Sequence, residues 1–118
     1  MIMDDQQIEQ EIQAKGANVA PRITPADIEA NIVSEHCFTA AEGLAGREVA
    51  PITNTPDALN LLTFCVLVLR NGFTVTGESA CASPENFNAE IGRKIARENA
   101  VAKVWPLMGY ELRSKLAA

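Results

Sequence analysis

The sequence predicts one α+β domain, and three observations carry that reading. Thr63-Phe64-Cys65-Val66-Leu67-Val68-Leu69 is rich in β-branched and apolar residues. It runs into Asn71-Gly72, the strongest two-residue hairpin signal, and then into alternating Phe73-Thr74-Val75-Thr76. From about 84 to 105, steps of about 100° per residue place Phe87, Ile91, Ile95, Ala102 and Trp105 in one arc, the pattern of an amphipathic helix. Finally, Thr24-Pro25-Ala26-Asp27, Thr55-Pro56-Asp57 and Ser83-Pro84-Glu85 share one device. A hydroxyl caps free N–H groups, proline occupies a first-turn position that needs no donor, and an acid suits the helix dipole.

The elements follow in order. Residues 4–15 read as a short helix with Ile8 and Ile12 on one face, acids in its first turns and Gly16 to close it. Two apolar anchors hold little, so residues 1–20 are expected to form an arm that is partly mobile or docks on a partner. Residues 21–118 are expected to form the domain. Asn18 to Ile23, with Pro21, reads as a linker. The first proline device starts a helix over 25–36, with Ile28, Ile32 and Val33 inward and Glu29 and Glu35 outward. Residues 39–54, with Gly43, Gly46, Pro51 and Asn54, read as a loop.

Residues 56–70 admit two readings. One is a helix from Thr55-Pro56-Asp57 to a glycine cap at Asn71-Gly72. The other, adopted here, is the first strand of a hairpin over about 62–81. A two-residue turn sets Leu69 opposite Thr74, Leu67 opposite Thr76 and Cys65 opposite Glu78. Phe64, Val66, Val68, Phe73 and Val75 then share a core face. Leu67 and Leu69 make the other face of the first strand apolar as well, which predicts cover on both sides, by a helix and by another layer such as a second subunit.

The helix over 84–105 carries an adjacent strip of small residues, Gly92, Ala96 and Ala100, and an opposite arc of Arg93, Arg97, Glu90 and Lys94. It is expected to stop before Pro106. The even spacing of Met108, Tyr110, Leu112 and Leu116 in the tail predicts a short C-terminal strand.

Composition narrows the function. The chain has 118 residues, 47% apolar and 21% charged. That is enough to bury a core without a metal or disulfide staple, and it excludes bulk disorder. The longest apolar run, Leu61 to Leu69, is too short for a membrane span, and the acidic N-terminus is unlike a signal peptide. Net charge is −5. Residues 1–62 hold ten acids and three bases, whereas residues 93–118 hold six bases and two acids. An acidic chain makes a poor general nucleic-acid binder, and the two ends are suited to complement each other within the fold or across a dimer. Cys37, Cys65 and Cys81 are odd in number with no CxxC, and His36 is the one histidine. These exclude a disulfide framework and a zinc site and predict free, reduced core thiols.

Asn71-Gly72-Phe73-Thr74-Val75-Thr76-Gly77-Glu78-Ser79-Ala80-Cys81, Ser83-Pro84-Glu85-Asn86-Phe87-Asn88 and Ile91-Gly92-Arg93-Lys94-Ile95-Ala96 form a distinctive series. With Trp105-Pro106-Leu107, Gly109-Tyr110 and the segment from Ile23 through His36 to Phe38-Thr39, it resembles the Gp-forty-nine-like family of short tailed-phage and prophage proteins, over residues 23–116. The resemblance implies phage or prophage origin and life in the host cytoplasm. It assigns no catalytic residue. The family pattern often has Tyr in place of Cys37 and Asp in place of Asn88; the second change removes a carboxylate near a helix start.

No catalytic or metal-binding set emerges. His36 and Cys37 are neighbours that a helix would point about 100° apart. Ser79 lacks a nucleophile elbow, and no phosphate-binding glycine loop is present. Glu98 falls at the edge of the apolar arc, where half-burial would suit an acid–base role. Arg93 and Arg97, four apart, have the spacing to clamp a phosphate or carboxylate. Thr74, Thr76 and Glu78 align on one strand face. These six residues are the expected ligand surface, with no cofactor and no metal. The expected function is that of a phage accessory protein acting by non-enzymatic binding in the host cytoplasm. Its target would be a host protein or a small anionic ligand such as a nucleotide signal, in a host-takeover or anti-defence role. The expected assembly is a homo-oligomer, with no membrane and no general nucleic-acid binding. A small enzyme using Glu98 or Glu78, or a virion structural protein, are the alternatives.

Overall fold

A computed structural model describes residues 4–46 and 55–118. The order is α1 (Asp5–Ala14), α2 (Pro25–Asn31), β1 (Ile32–Thr39), α3 (Ala40–Ala45), a 3-10 turn (Asp57–Leu61), β2 (Leu62–Leu69), β3 (Thr74–Ala80), a second 3-10 turn (Pro84–Asn86) and α4 (Ala89–Ala117). The three strands form an antiparallel sheet in the order β1-β2-β3, and α4 packs across one face of it. The architecture is α+β, as the sequence predicts.

Helix starts follow the caps. Thr24 Oγ1 accepts from Asp27 N–H (3.1 Å) while Asp27 accepts from Thr24 N–H (2.9 Å), a reciprocal box that satisfies two free donors. The same box opens α3 at Thr39 and Glu42, inside the stretch expected as a loop. The rest of that expected loop, 47–54, lies outside the described residues.

The helix expected over 25–36 ends at Asn31, and residues 32–39 are a strand instead. Ile32 and Val33 are β-branched, and the pairing partner lies thirty residues downstream. Arg70 N–H donates to the Asn31 carbonyl (2.9 Å) and Arg70 Nη2 to the Ala30 carbonyl (2.7 Å), which ties the end of α2 to the end of β2. Local spacing cannot register that contact.

The hairpin forms with a different turn. Arg70, Asn71 and Gly72 make a three-residue loop, in which Gly72 N–H donates to the Leu69 carbonyl and Leu69 N–H to the Phe73 carbonyl (2.8 Å each). Gly72 adopts φ +88°, a left-handed conformation open to a residue without Cβ. Pairing therefore slips by one residue from the expected register: Val68 faces Thr74, Leu67 faces Val75 and Cys65 faces Gly77. Because side chains alternate faces, the slip exchanges the two sides of β2. Thr63, Cys65, Leu67 and Leu69 are buried, and Phe64, Val66 and Val68 turn outward.

α4 departs from expectation at both ends and in its facing. Ser83-Pro84 opens only a 3-10 turn, and Asn88 caps the helix by accepting from Ile91 N–H (3.0 Å). The helix then runs through Pro106 to Ala117, so the expected C-terminal strand is helical. Pro106 and Ala102, whose carbonyl loses its partner, both face solvent, so water can satisfy that carbonyl. The face turned to the sheet is the small strip, Gly92, Ala96 and Ala100, with Val101 and Val104. Ile91 and Ile95, expected inside, are exposed. The cause is Gly77: its lack of a side chain lets α4 approach until the backbone of Ala96 and Ala100 occupies the space of a Cβ. Isoleucine on that face would hold the layers apart.

The core is Ile28, Cys65, Leu67, Leu69, Val75, Ala96, Ala100, Val101 and Val104, flanked by Ile23, Ile32, Cys37, Trp105 and Met108. α1 joins it by polar contacts: Arg22 donates to both Glu9 oxygens, and the Trp105 indole donates to Asp5 Oδ2 (3.0 Å). No described helix is long and apolar enough to cross a membrane.

Candidate functional site

The sheet divides the six expected ligand residues into separate groups. Thr74, Thr76 and Glu78 point outward from β3, opposite Val68, Val66 and Phe64 of β2. Arg93, Arg97 and Glu98 belong to α4, on the other side of the sheet. The structure does not bring the two groups into one surface.

Arg97 is already engaged. Its Nη1 and Nη2 meet the two Glu29 carboxylate oxygens (3.1 and 2.8 Å), and its Nε donates to Glu35 Oε2 (2.5 Å). The Glu29 hydrogen bonds, followed by those to Glu35, raise its pKa above the ordinary arginine value. Two carboxylates on one guanidinium leave no free positive charge for an anion. Glu29 and Glu35, expected to face solvent, are the partners that α2 and β1 bring to it. Arg93 stays exposed near α3, where it adds weakly to the lowering of the Glu42 carboxyl, an effect due mainly to hydrogen bonding with Thr39.

Glu98 is exposed rather than half-buried, so the burial on which an acid–base role rests is missing. It lines a cavity of ≈ 610 Å³ between α1, α2 and α4, with Asp4, Asp5, Glu29, Arg97 and Trp105. No histidine or cysteine lines that cavity. His36 sits on the outer face of β1, its ring 3.3 Å from Ser34 Oγ, and Cys37 turns inward. They do not face each other, because strand neighbours point to opposite sides. Among the described residues, no group of three or more His, Cys, Asp or Glu side chains is placed to hold a metal.

The remaining feature is the outer face of the sheet. Phe64, Val66 and Val68 form its central row on β2, and Phe38 adds an aromatic neighbour, its ring centroid 6.0 Å from that of Phe64 at an interplanar angle of 42°. Ser34 and His36 border the row on β1; Thr74, Thr76 and Glu78 border it on β3. α3 closes one end, with Gly43 against the Phe38 ring. The 3-10 turn Asp57–Leu61 also packs on β1 and β2, and Phe64, Val66 and Val68 are half-buried. Its centre is apolar, its rim carries hydroxyls, and His36 and Glu78 are its ionisable side chains. Such a face fits a protein surface better than a phosphate or a nucleic acid. The sequence marked Phe64, Val66 and Val68 as apolar but assigned them to the core, and it missed Phe38. The β-branched and aromatic run from Ile32 to Phe38 was the available signal for β1.

The family model described as the phage protein (N4 Gp49/phage Sf6 gene 66) family matches residues 23–116, from the linker before α2 to the last turn of α4. Searches of curated proteins and of solved structures find no match.

Proposed function

Because the chain belongs to the N4 Gp49/phage Sf6 gene 66 family of phage proteins, we propose that it is an accessory protein that acts by non-enzymatic binding to a host protein in the host cytoplasm. One observation carries the proposal: Phe64, Val66 and Val68 form a half-buried apolar row on the sheet face opposite α4. Apolar sheet faces of this kind mark interaction surfaces. A host protein is favoured over a small anion because Glu29 and Glu35 occupy Arg97. Three strands at about 4.8 Å spacing and about 3.4 Å per residue give a face of roughly 350 Å², against about 800 Å² per partner in a standard stable interface, so a protein partner would also contact the rim and α3.

The test is a photo-crosslinking amino acid at position 66, in phage-infected cells, with the same group at Glu111 as a control. Adducts of one host protein from position 66, absent from position 111 and abolished by Phe64→Asp with unchanged circular dichroism, support the proposal. Adducts only between two copies of the chain, or no adduct, refute it.

A further inference from the structure

We propose that Cys37 and Cys65 are a cross-strand dithiol that closes to a reversible disulfide by exchange with a low-molecular-weight disulfide such as oxidised glutathione. The two residues are direct partners on β1 and β2. The hydrogen-bond pattern fixes the type of pair. Leu69 N–H donates to Phe73, so the odd-numbered residues of β2 bond to β3. Arg70 N–H donates to Asn31, so the even-numbered ones bond to β1. Cys37 and Cys65 therefore form a non-hydrogen-bonded pair. Such pairs have Cα atoms about 4.5 Å apart and the closest side-chain approach in a sheet. A disulfide spans Cα separations of about 4.4–6.8 Å, so the strands need not move apart.

Both side chains point to the same inner face. Cys65 is wholly buried, and Cys37 packs against the core while retaining partial exposure. Burial pushes the Cys65 thiol up to about 12; the neighbouring Cys37 thiol and the Glu35 carboxylate add to that shift, and the Arg97 guanidinium opposes it. Cys81 is not part of the pair: it lies past the end of β3, with its thiol 3.2 Å from the Ser83 carbonyl.

These environments assign the steps. Cys37, the more exposed of the two, attacks as its thiolate one sulfur of oxidised glutathione, breaking its S–S bond, forming a mixed disulfide and releasing one glutathione thiolate. Cys65 then loses its proton and attacks the Cys37 sulfur, expelling the second glutathione thiolate. Two protein thiols are oxidised, one glutathione disulfide is reduced to two thiols, and the two protons pass to the departing thiolates. Closure is slow at neutral pH because Cys65 stays protonated, and it quickens as pH rises.

The experiment uses the full chain with Cys81→Ala, reduced and then exposed to oxidised glutathione at pH 7 and pH 8.5. Expected are a monomer about 2 Da lighter, a Cys37–Cys65 cross-linked peptide and full reversal by dithiothreitol. Closure should be roughly thirty-fold faster at the higher pH, since the thiolate fraction of Cys65 rises about tenfold per pH unit, and Tm should rise by roughly 10 °C from the closed loop. With Cys37→Ser added, Cys65 should stay unmodified while the protein is folded. The proposal is overturned by a stalled adduct about 305 Da heavier, by disulfides between chains, by no reaction at either pH, or by a closed form with lower Tm.

Discussion

Gly77 on β3 and Ala96 on α4 meet backbone to backbone: the Ala96 carbonyl stands where a Cβ on residue 77 would be, and the Ala100 amide crowds the same point. This contact sets the distance between the two layers. It explains why a strip of glycine and alanine, rather than the isoleucines beside it, faces the sheet. Neither backbone segment can give way without breaking helix or sheet hydrogen bonds. Gly77→Ala should therefore destabilise the domain by roughly 2–4 kcal/mol, read as a lower urea midpoint. Gly109, in the same helix, has nothing within 4 Å of its would-be Cβ. Gly109→Ala should raise stability by about 0.5–1 kcal/mol, because alanine is the better helix former. Equal effects at the two positions would contradict the close approach.

Thr63 is 2% exposed, and its hydroxyl oxygen has no hydrogen-bond partner among the described residues. It faces Gly92, whose would-be Cβ lies 3.0 Å from that oxygen. A buried hydroxyl without a partner loses its hydration and gains nothing in exchange. Thr63→Val keeps the shape and removes that cost. Unfolding in urea should show a gain of about 1 kcal/mol, whereas Thr63→Ser should show a loss, since it keeps the hydroxyl and deletes a methyl.

Arg22 holds the Glu9 carboxyl down to about 2, from an ordinary value of 4.5, mainly through its hydrogen bonds and with help from Gln13. A folded-state pKa below the unfolded one means that the unfolded chain binds the proton first as pH falls. The resulting stabilisation is fully present above about pH 4.5 and is lost as pH falls through about 2. Arg22→Gln should flatten the fall in Tm between those limits, with little change in its slope from pH 6 to 8. Both groups join α1 to the segment before α2, so limited proteolysis of the variant should first cut near residues 14–22.

Several parts of the fold are legible from short-range chemistry. The Thr24–Asp27 capping box, the Asn71-Gly72 reversal and the helical character of residues 91–105 follow from interactions within four residues. So does α1 with its Asp4 cap. The candidate site was less legible. Arg97 looked like a free cation because its partners, Glu29 and Glu35, lie more than sixty residues away in sequence. Phe64, Val66 and Val68 looked like core because one added residue in the turn separates the two registers. Pairing energy across the whole strand decides that residue, not the turn dipeptide alone.

By itself the sequence determined the class of fold, the position of the reversal, the helical middle of α4 over 91–105, and family membership, because capping, turn chemistry and hydrophobic period act locally. Tertiary structure alone decided which face of β2 is buried, that residues 32–39 are a strand, that α4 passes through Pro106, and that Arg97 is neutralised. Each of these depends on what a distant segment places alongside. A β-branched stretch after Asn31 becomes a strand when β2 offers its edge, and a helix tolerates proline where the freed carbonyl meets water. An isoleucine row stays outside when a glycine on the sheet admits only small residues beneath it.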